Sequence, residues 1–365
     1  MSSNNKIPPG RTIGIIGGGQ LGRMSAVAAA ELGYKTHIFT PEKNSPASHV
    51  SVQTTVAPYE DEEALKKFAQ GVDIITFEFE NVPAASVKLL ADLKPVRPGW
   101  QCLEIAQDRV REKTFASELG IPTAPWAEVR SNADLEKAIE KIGTPAILKT
   151  TRMGYDGKGQ VRINQGDNAT KAWEELGSDV GILEGFVDFA MEVSVITARG
   201  IDGVMESFDV VQNHHKNGIL DITIAPAPVS DVLRARAIDT AEKMAEKMNL
   251  VGLLAVEMFI THDDGILVNE MAPRPHNSGH WTQDGCKTSQ FEQFIRAVCG
   301  IKLGTAERHS DAVMKNLIGT DVDDWETIIE DGENKLHLYG KNESRPGRKM
   351  GHVNRLYPKG SGPVI

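Results

Sequence analysis

The sequence is short of cysteine, of long apolar runs and of positive charge, and each shortage removes a class of protein. Its three cysteines, Cys102, Cys286 and Cys299, have no paired spacing, so no disulfide framework or zinc site is expected, and Cys286 is at most a candidate to line a site. No apolar run approaches the ~20 residues of a membrane span, and the start MSSNNKIPPGR lacks the apolar core of a signal peptide; a cytoplasmic protein without membrane contact is expected. A formal net charge of −10 argues against general nucleic-acid binding. What remains is a 365-residue globular chain, 40% hydrophobic and 25% charged, with room for two or three cores.

The charge is unevenly spread. From Lys335 onward seven Lys or Arg stand against one acid, Glu343, while the rest carries 33 basic and 49 acidic residues. A short basic patch on an acidic chain suits a small anion better than a polymer.

The stretch Val251 to His280, VGLLAVEMFITHDDGILVNEMAPRPHNSGH, reads as strand, tight turn and strand. Glu257 interrupts a run that is apolar on both faces, and a buried carboxylate there needs a cation, a hydrogen-bonded partner or a raised pKa. The turn Thr261 to Gly265 brings Asn269 and Glu270 opposite Glu257, within one residue of register. Two acids and an amide, with positions left for phosphate oxygens, suit Mg²⁺ held for nucleotide chemistry. The loop that follows supplies Arg274, His276, Asn277, Ser278 and His280.

Earlier in the chain, RTIGIIGGGQLG is a buried strand entering a glycine turn, with a helix expected over Arg23 to Leu32. Gly17, Gly19 and Gly22 fit G-x-G-x-x-G, but the second strand ends in Thr40 and Pro41 without the acid a nicotinamide dinucleotide requires. VDIITFEFENVP is a strand over Val72 to Phe79 whose carboxyl end carries Glu78, Glu80 and Asn81, beside the same crevice. A helix spans Gln107 to Leu119 and another Glu136 to Ile142. Lys149 ends the apolar strand Pro145 to Thr150, and Thr151 to Val161 follows, where Gly154, Gly157 and Gly159 frame Tyr155, Asp156, Lys158 and Gln160; such a hairpin is expected to be a mobile lid over phosphates. The strand Val180 to Phe186 leads into a hinge starting at Glu184, whose backbone could pair with an adenine edge. Glu192 then sits among apolar residues, and His214 and His215 follow.

Taken together, the glycine turn, TFEFENVP, QDR, GYDGKGQ, NEMAPRPHNSGH and GRKMGH resemble, in that order, the ATP-grasp enzymes, and among them the 5-(carboxyamino)imidazole ribonucleotide synthase family of purine biosynthesis. The resemblance covers nearly the whole chain. It implies a mixed α/β and α+β ATP-grasp fold: a Rossmann-like preATP-grasp domain over 1–101, an ATP-grasp domain over 102–300 with a mobile small lobe at about 127–187, and a small C-terminal domain over 301–365. It implies a homodimer that uses ATP and Mg²⁺ to carboxylate aminoimidazole ribonucleotide with bicarbonate, through carboxyphosphate. Arg109 and Lys149 would meet the nucleotide phosphates, Gly154 to Gln160 would form the lid, and Glu184, Gly185, Phe186 and Val187 would hold adenine. Glu192 would bind ribose, His215 a further part of ATP, and Glu257 with Glu270 the metal beside Asn269. His214 precedes His215 where an apolar residue is expected, so either histidine could meet ATP. Arg274 and His276 would face bicarbonate and the amine, and join Lys149 and Asp156 as catalytic groups. Gln20, Leu21 and Glu78 would form the ribonucleotide pocket, with Lys341, Arg348 and Lys349 as its phosphate hook. A formate-using ATP-grasp transformylase is the alternative within the family; a nicotinamide-dependent oxidoreductase and a non-catalytic ribonucleotide-binding protein are the alternatives outside it.

Overall fold

Short apolar runs separated by helices place parallel strands side by side near the N-terminus. In the computed structural model, which describes residues 6–152 and 159–363, these are β1 (Thr12–Ile16), β2 (Lys35–Thr40), β3 (Gln53–Val56) and β4 (Ile74–Phe77), in the order β3-β2-β1-β4. The first helix runs Gln20–Glu31, starting three residues ahead of expectation. Its early start has a local cause. Glu78, just past β4, accepts hydrogen bonds from the amides of Gly19 and Gly22 and so satisfies donors that a helix N-terminus otherwise leaves open.

A second, antiparallel sheet has the order β5-β8-β6-β7, from β5 (Trp126–Val129), β6 (Ala146–Thr150), β7 (Gln160–Ile163) and β8 (Gly181–Gly185). Helices Asn132–Ile142 and Ala169–Leu176 cover it, burying Leu135, Ala138 and Leu176 against Val129, Leu148 and Leu183. The former begins a turn earlier than Glu136 because Ser131 caps it, accepting from the amide of Asp134. Glu184 lies inside β8 rather than at the start of a hinge.

The largest sheet contains β9 (Phe189–Arg199), β10 (Met205–Ser207), β11 (Val211–Lys216), β12 (Ile219–Ala225), β13 (Gly252–Thr261), β14 (Ile266–Ala272), β15 (Ser310–Ile318), β16 (Asn334–Leu338) and β17 (Lys349–Pro358). Its order is β14-β13-β9-β11-β12-β15-β17-β16, with β10 paired to β9. Alternation along β13 splits its side chains between two cores: Leu254, Val256 and Met258 pack under helix Asp231–Lys247, while Leu253 and Ala255 pack under helix Gln290–Cys299. Burying each Leu, Val or Met contributes roughly 1.5–3 kcal/mol, so both faces of this strand are strongly specified. The basic tail is not a loose extension, because β17 pairs with β15 from Ser310↔Pro358 to Ile318↔Lys349. All three cysteines are buried free thiols, and burial pushes that of Cys286 up. Among the described residues no helix is long and apolar enough to cross a membrane.

Candidate active site

A cavity of about 530 Å³ opens where the carboxyl ends of β1 and β4 face β13, β14 and the lysine end of β6. Its wall includes Gln20, Leu21, Glu78, Arg109, Lys149, Gln160, Glu192, His215, Glu257, Asn269, Glu270, Arg274, His276 and Lys349, residues drawn from every part of the chain. Gly154, Tyr155, Asp156, Gly157 and Lys158 lie outside the described residues, so the expected lid is represented by Gly159, whose carbonyl accepts from the amide of Thr150, and by Gln160 at the start of β7.

Glu257 pairs directly with Glu270, and the register slips immediately afterwards, Met258 pairing with Val268, so that Asn269 is the extra residue of a bulge. Directly opposed strand residues share a face, which brings both carboxylates to the cavity. His276 Nε2 is 3.0 Å from Glu257, and Arg109 lies 3.2 Å from Glu270. Burial alone would raise the pKa of Glu257; the hydrogen bond and charge of His276, with His215 and Lys349, instead hold it at about 2. Among the described residues no group of three or more His, Cys, Asp and Glu is arranged to hold a metal. Two carboxylates and an amide oxygen nevertheless fit Mg²⁺, which keeps few protein ligands and takes the rest from substrate phosphates.

On one side of this pair lie cations suited to phosphates. Lys149 Nζ is 3.1 Å from Glu184, whose same oxygen is 3.5 Å from Lys113. Burial lowers the pKa of Lys149, opposed chiefly by Glu184. Lys113 was not anticipated. It is 1% exposed and donates to the carbonyl of Asn269 at 2.8 Å, anchoring the bulge. Its neighbour Glu112, on the cavity wall, accepts from the amide of Met271 at 2.5 Å, and burial pushes its pKa up to about 8. Both occupy the inner face of helix Arg109–Glu118. Beside the expected hinge, the amides of Gly185 and Phe186 bond the carbonyls of Pro125 and Pro145 and are not open to a base edge.

His215 Nδ1 is 2.7 Å from Glu192, and both line the cavity; a bulge between His214 and His215 separates the two histidines, and His214 is not part of that wall. Of the two, His215 is the one on the cavity wall.

On the other side, Glu78 fills the glycine turn. A Cβ at Gly17 or Gly19 would come within 2.8 Å of its carboxylate, and the Gly19 and Gly22 amides that would hold a dinucleotide phosphate are taken. Burial raises the pKa of Glu78 against those two amides and the charges of Arg274 and Lys341. Glu80 pairs closely with the Arg274 guanidinium, which overrides the effect of burial and lowers the Glu80 pKa. Lys349 lines the cavity, and Lys341 donates to the Lys349 carbonyl at 2.6 Å. Burial, then repulsion from Arg348 and Lys349, brings Lys341 down to about 8. Arg348 donates to the Glu343 carbonyl at 2.8 Å; neither it nor Lys341 lines the cavity.

Three family models match the chain in order: a ribonucleotide synthetase preATP-grasp domain over residues 10–107, an ATP-grasp domain over 114–291 and a phosphoribosylaminoimidazole carboxylase C-terminal domain over 312–359. The chain is 49% identical to an N5-carboxyaminoimidazole ribonucleotide synthase of Brucella melitensis, covering 97% of this chain and 98% of that one. It is 48% identical to a bifunctional purine synthesis protein of Dictyostelium discoideum, of whose length it spans 37%. Among solved structures, an ADP complex of an N5-carboxyaminoimidazole ribonucleotide synthetase superposes with TM-score 0.94 at 44% identity, over 97% of this chain and 94% of that one. The synthase of Aspergillus clavatus, solved with ADP and 5-aminoimidazole ribonucleotide, superposes with TM-score 0.89 at 31% identity, over 95% and 94%.

Proposed function

The chain belongs to the N5-carboxyaminoimidazole ribonucleotide synthase family of ATP-grasp enzymes, and we propose that its own reaction is the ATP-dependent carboxylation of 5-aminoimidazole ribonucleotide by bicarbonate in purine synthesis, with ADP and phosphate released. The observation that carries this reading is the pairing of Glu257 with Glu270 in a cavity that is also lined by cations. Arg109 stands 3.2 Å from Glu270 and His276 3.0 Å from Glu257, and Lys149, Arg274 and Lys349 line the same cavity.

Bicarbonate is a poor electrophile until an oxygen is phosphorylated. Lys149 and Arg109 offset negative charge on the transferred group, and Glu257, Glu270 and Asn269 would hold Mg²⁺, which would supply further charge compensation for the phosphates. Arg274, fixed by Glu80, orients the anion for attack by the exocyclic amine. Val187, Glu192 and His215 bind the nucleoside of ATP; Gln20, Leu21 and Lys349 on the cavity wall bind the ribonucleotide, and Lys341 and Arg348, beside Lys349 but off that wall, would have to turn inward to reach its phosphate. Glu78 supports that second pocket by holding the glycine turn. A nicotinamide-dependent activity finds no support, since Glu78 occupies the turn a dinucleotide would use.

A cytoplasmic homodimer belongs to the same proposal. Buried unpaired cysteines suit a reducing compartment, and sedimentation of the purified chain measures the dimer. The activity is tested by ADP release with each substrate omitted in turn. Release should require bicarbonate and rise with aminoimidazole ribonucleotide; formate replacing bicarbonate would move the chain to another ATP-grasp reaction.

A further inference from the structure

His280 forms part of the cavity wall yet is 1% exposed, packed against the rings of Phe291, Tyr339 and His352. Its tautomer follows from Gln290. The Gln290 Oε1 accepts from the amide of His276 at 2.9 Å and its Nε2 donates to the His276 carbonyl at 2.8 Å, a two-point contact that fixes which end of the amide is which. The second Nε2 hydrogen is therefore presented to His280 Nδ1, 2.9 Å away, which must accept it. The imidazole is neutral, with its proton on Nε2. Burial, and then the nearby charges of His276, His337, Lys349 and Arg274, oppose a second proton. Among the described residues Nε2 has no hydrogen-bond partner.

Asn277 stands three residues earlier, at the start of the 3₁₀ turn Asn277–Gly279, where side chains three apart eclipse. It lines the same cavity, and both its amide oxygen and its amide nitrogen are buried without a partner among the described residues. Unsatisfied buried groups of this kind are costly unless a ligand completes them.

We propose that Asn277 and His280 form a recess that reads the uncharged aminoimidazole base of the ribonucleotide, His280 Nε2–H donating to the ring nitrogen and the Asn277 amide meeting the exocyclic amine. This rests on the functional reading above. The chemistry favours the base over the phosphate or bicarbonate: those anions are served by Arg274 and Lys349, whereas this pair offers hydrogen bonds without charge. A site built to complete hydrogen bonds also rejects analogues that lack the matching atoms.

The test uses the full chain with ATP, Mg²⁺ and bicarbonate. His280→Phe keeps an aromatic ring in the packing but removes the donor, and should raise the KM for aminoimidazole ribonucleotide about tenfold, while the KM values for ATP and bicarbonate hold. His280→Gln, whose amide reaches toward the Nε2 position, should recover most of the loss. Ribose 5-phosphate, which lacks the base, should inhibit wild type and His280→Phe equally. Nitrogen-15 NMR of the wild type should show His280 Nδ1 unprotonated. The recess is overturned by an unchanged ribonucleotide KM, by equal weakening of ribose 5-phosphate, by a rise confined to bicarbonate, or by a protonated Nδ1. Should His280→Phe fail to fold, Asn277→Leu replaces it with the same expected rise and the same overturning results. Absence of ribonucleotide-dependent ADP release in the wild type would instead sink the functional reading.

Discussion

Glu257 faces Glu270 across the β13–β14 hairpin, and the bulge beside them turns Asn269 into the extra residue of the pair's edge. Like charges directly opposed in a sheet repel, so the arrangement holds only because His276 and Arg109 stand against the two acids. Mg²⁺ bound with nucleotide would take over that compensation. Glu270→Gln should therefore leave the fold intact, by circular dichroism, and lower turnover on the order of a hundredfold or more. Near wild-type turnover at ordinary Mg²⁺ concentrations would contradict a metal role.

Glu184 holds Lys149 and Lys113 through one oxygen, all three largely buried. Removing the carboxylate leaves two ammonium groups with less compensation, and Glu184→Gln should cost roughly 3–5 kcal/mol in urea unfolding. The attraction of the two lysines outweighs burial and depresses the Glu184 pKa. Its contribution is thus present above the unfolded carboxyl value and fades as pH falls through the folded one, so wild type and variant should converge in acid. Equal pH profiles would show that Glu184 is not the shared anchor.

Glu112 behaves in the opposite sense. Its pKa rises from 4.5 to about 8 on burial, so the folded chain keeps a proton that the unfolded chain releases. Stability from this group is full below pH 4.5 and declines until pH 8 is passed. Glu112→Gln, neutral throughout, should gain stability relative to wild type across that window, by roughly 2–4 kcal/mol at pH 7 without Mg²⁺. A difference that does not vary with pH would place the proton elsewhere.

Lys341, brought to about 8 by burial and by its cationic neighbours, should lose its charge as pH rises through that value. Ribonucleotide binding should then weaken above pH 8 while ATP binding does not, and Lys341→Arg should flatten the profile. A parallel loss for both substrates would remove Lys341 from the phosphate site.

The hairpin was legible because a carboxylate amid apolar residues on both strand faces has few explanations. Lys149 was legible for the same reason. Glu112 and Lys113 were not, since a helix that begins with Arg109, Arg111, Glu112 and Lys113 looks solvated until the packing of β14 against it is known. The glycine turn was legible as a turn but not in its occupant: only the register of β1 against β4 shows Glu78 reaching the amides of Gly19 and Gly22. Arg274 and Glu80 are 194 residues apart in sequence, and no local pattern joins them. The same holds for Gln290 and the loop it braces.

The central claim is that ATP activates bicarbonate inside this cavity, and oxygen-18 bicarbonate tests it most directly. With aminoimidazole ribonucleotide and ATP present, mass spectrometry of the released phosphate should show one labelled oxygen for each ADP formed, because the oxygen that attacks the γ-phosphoryl group stays on phosphorus when the carboxyl group is transferred. Phosphate without label, or ADP formed equally well in the absence of bicarbonate, would contradict the account.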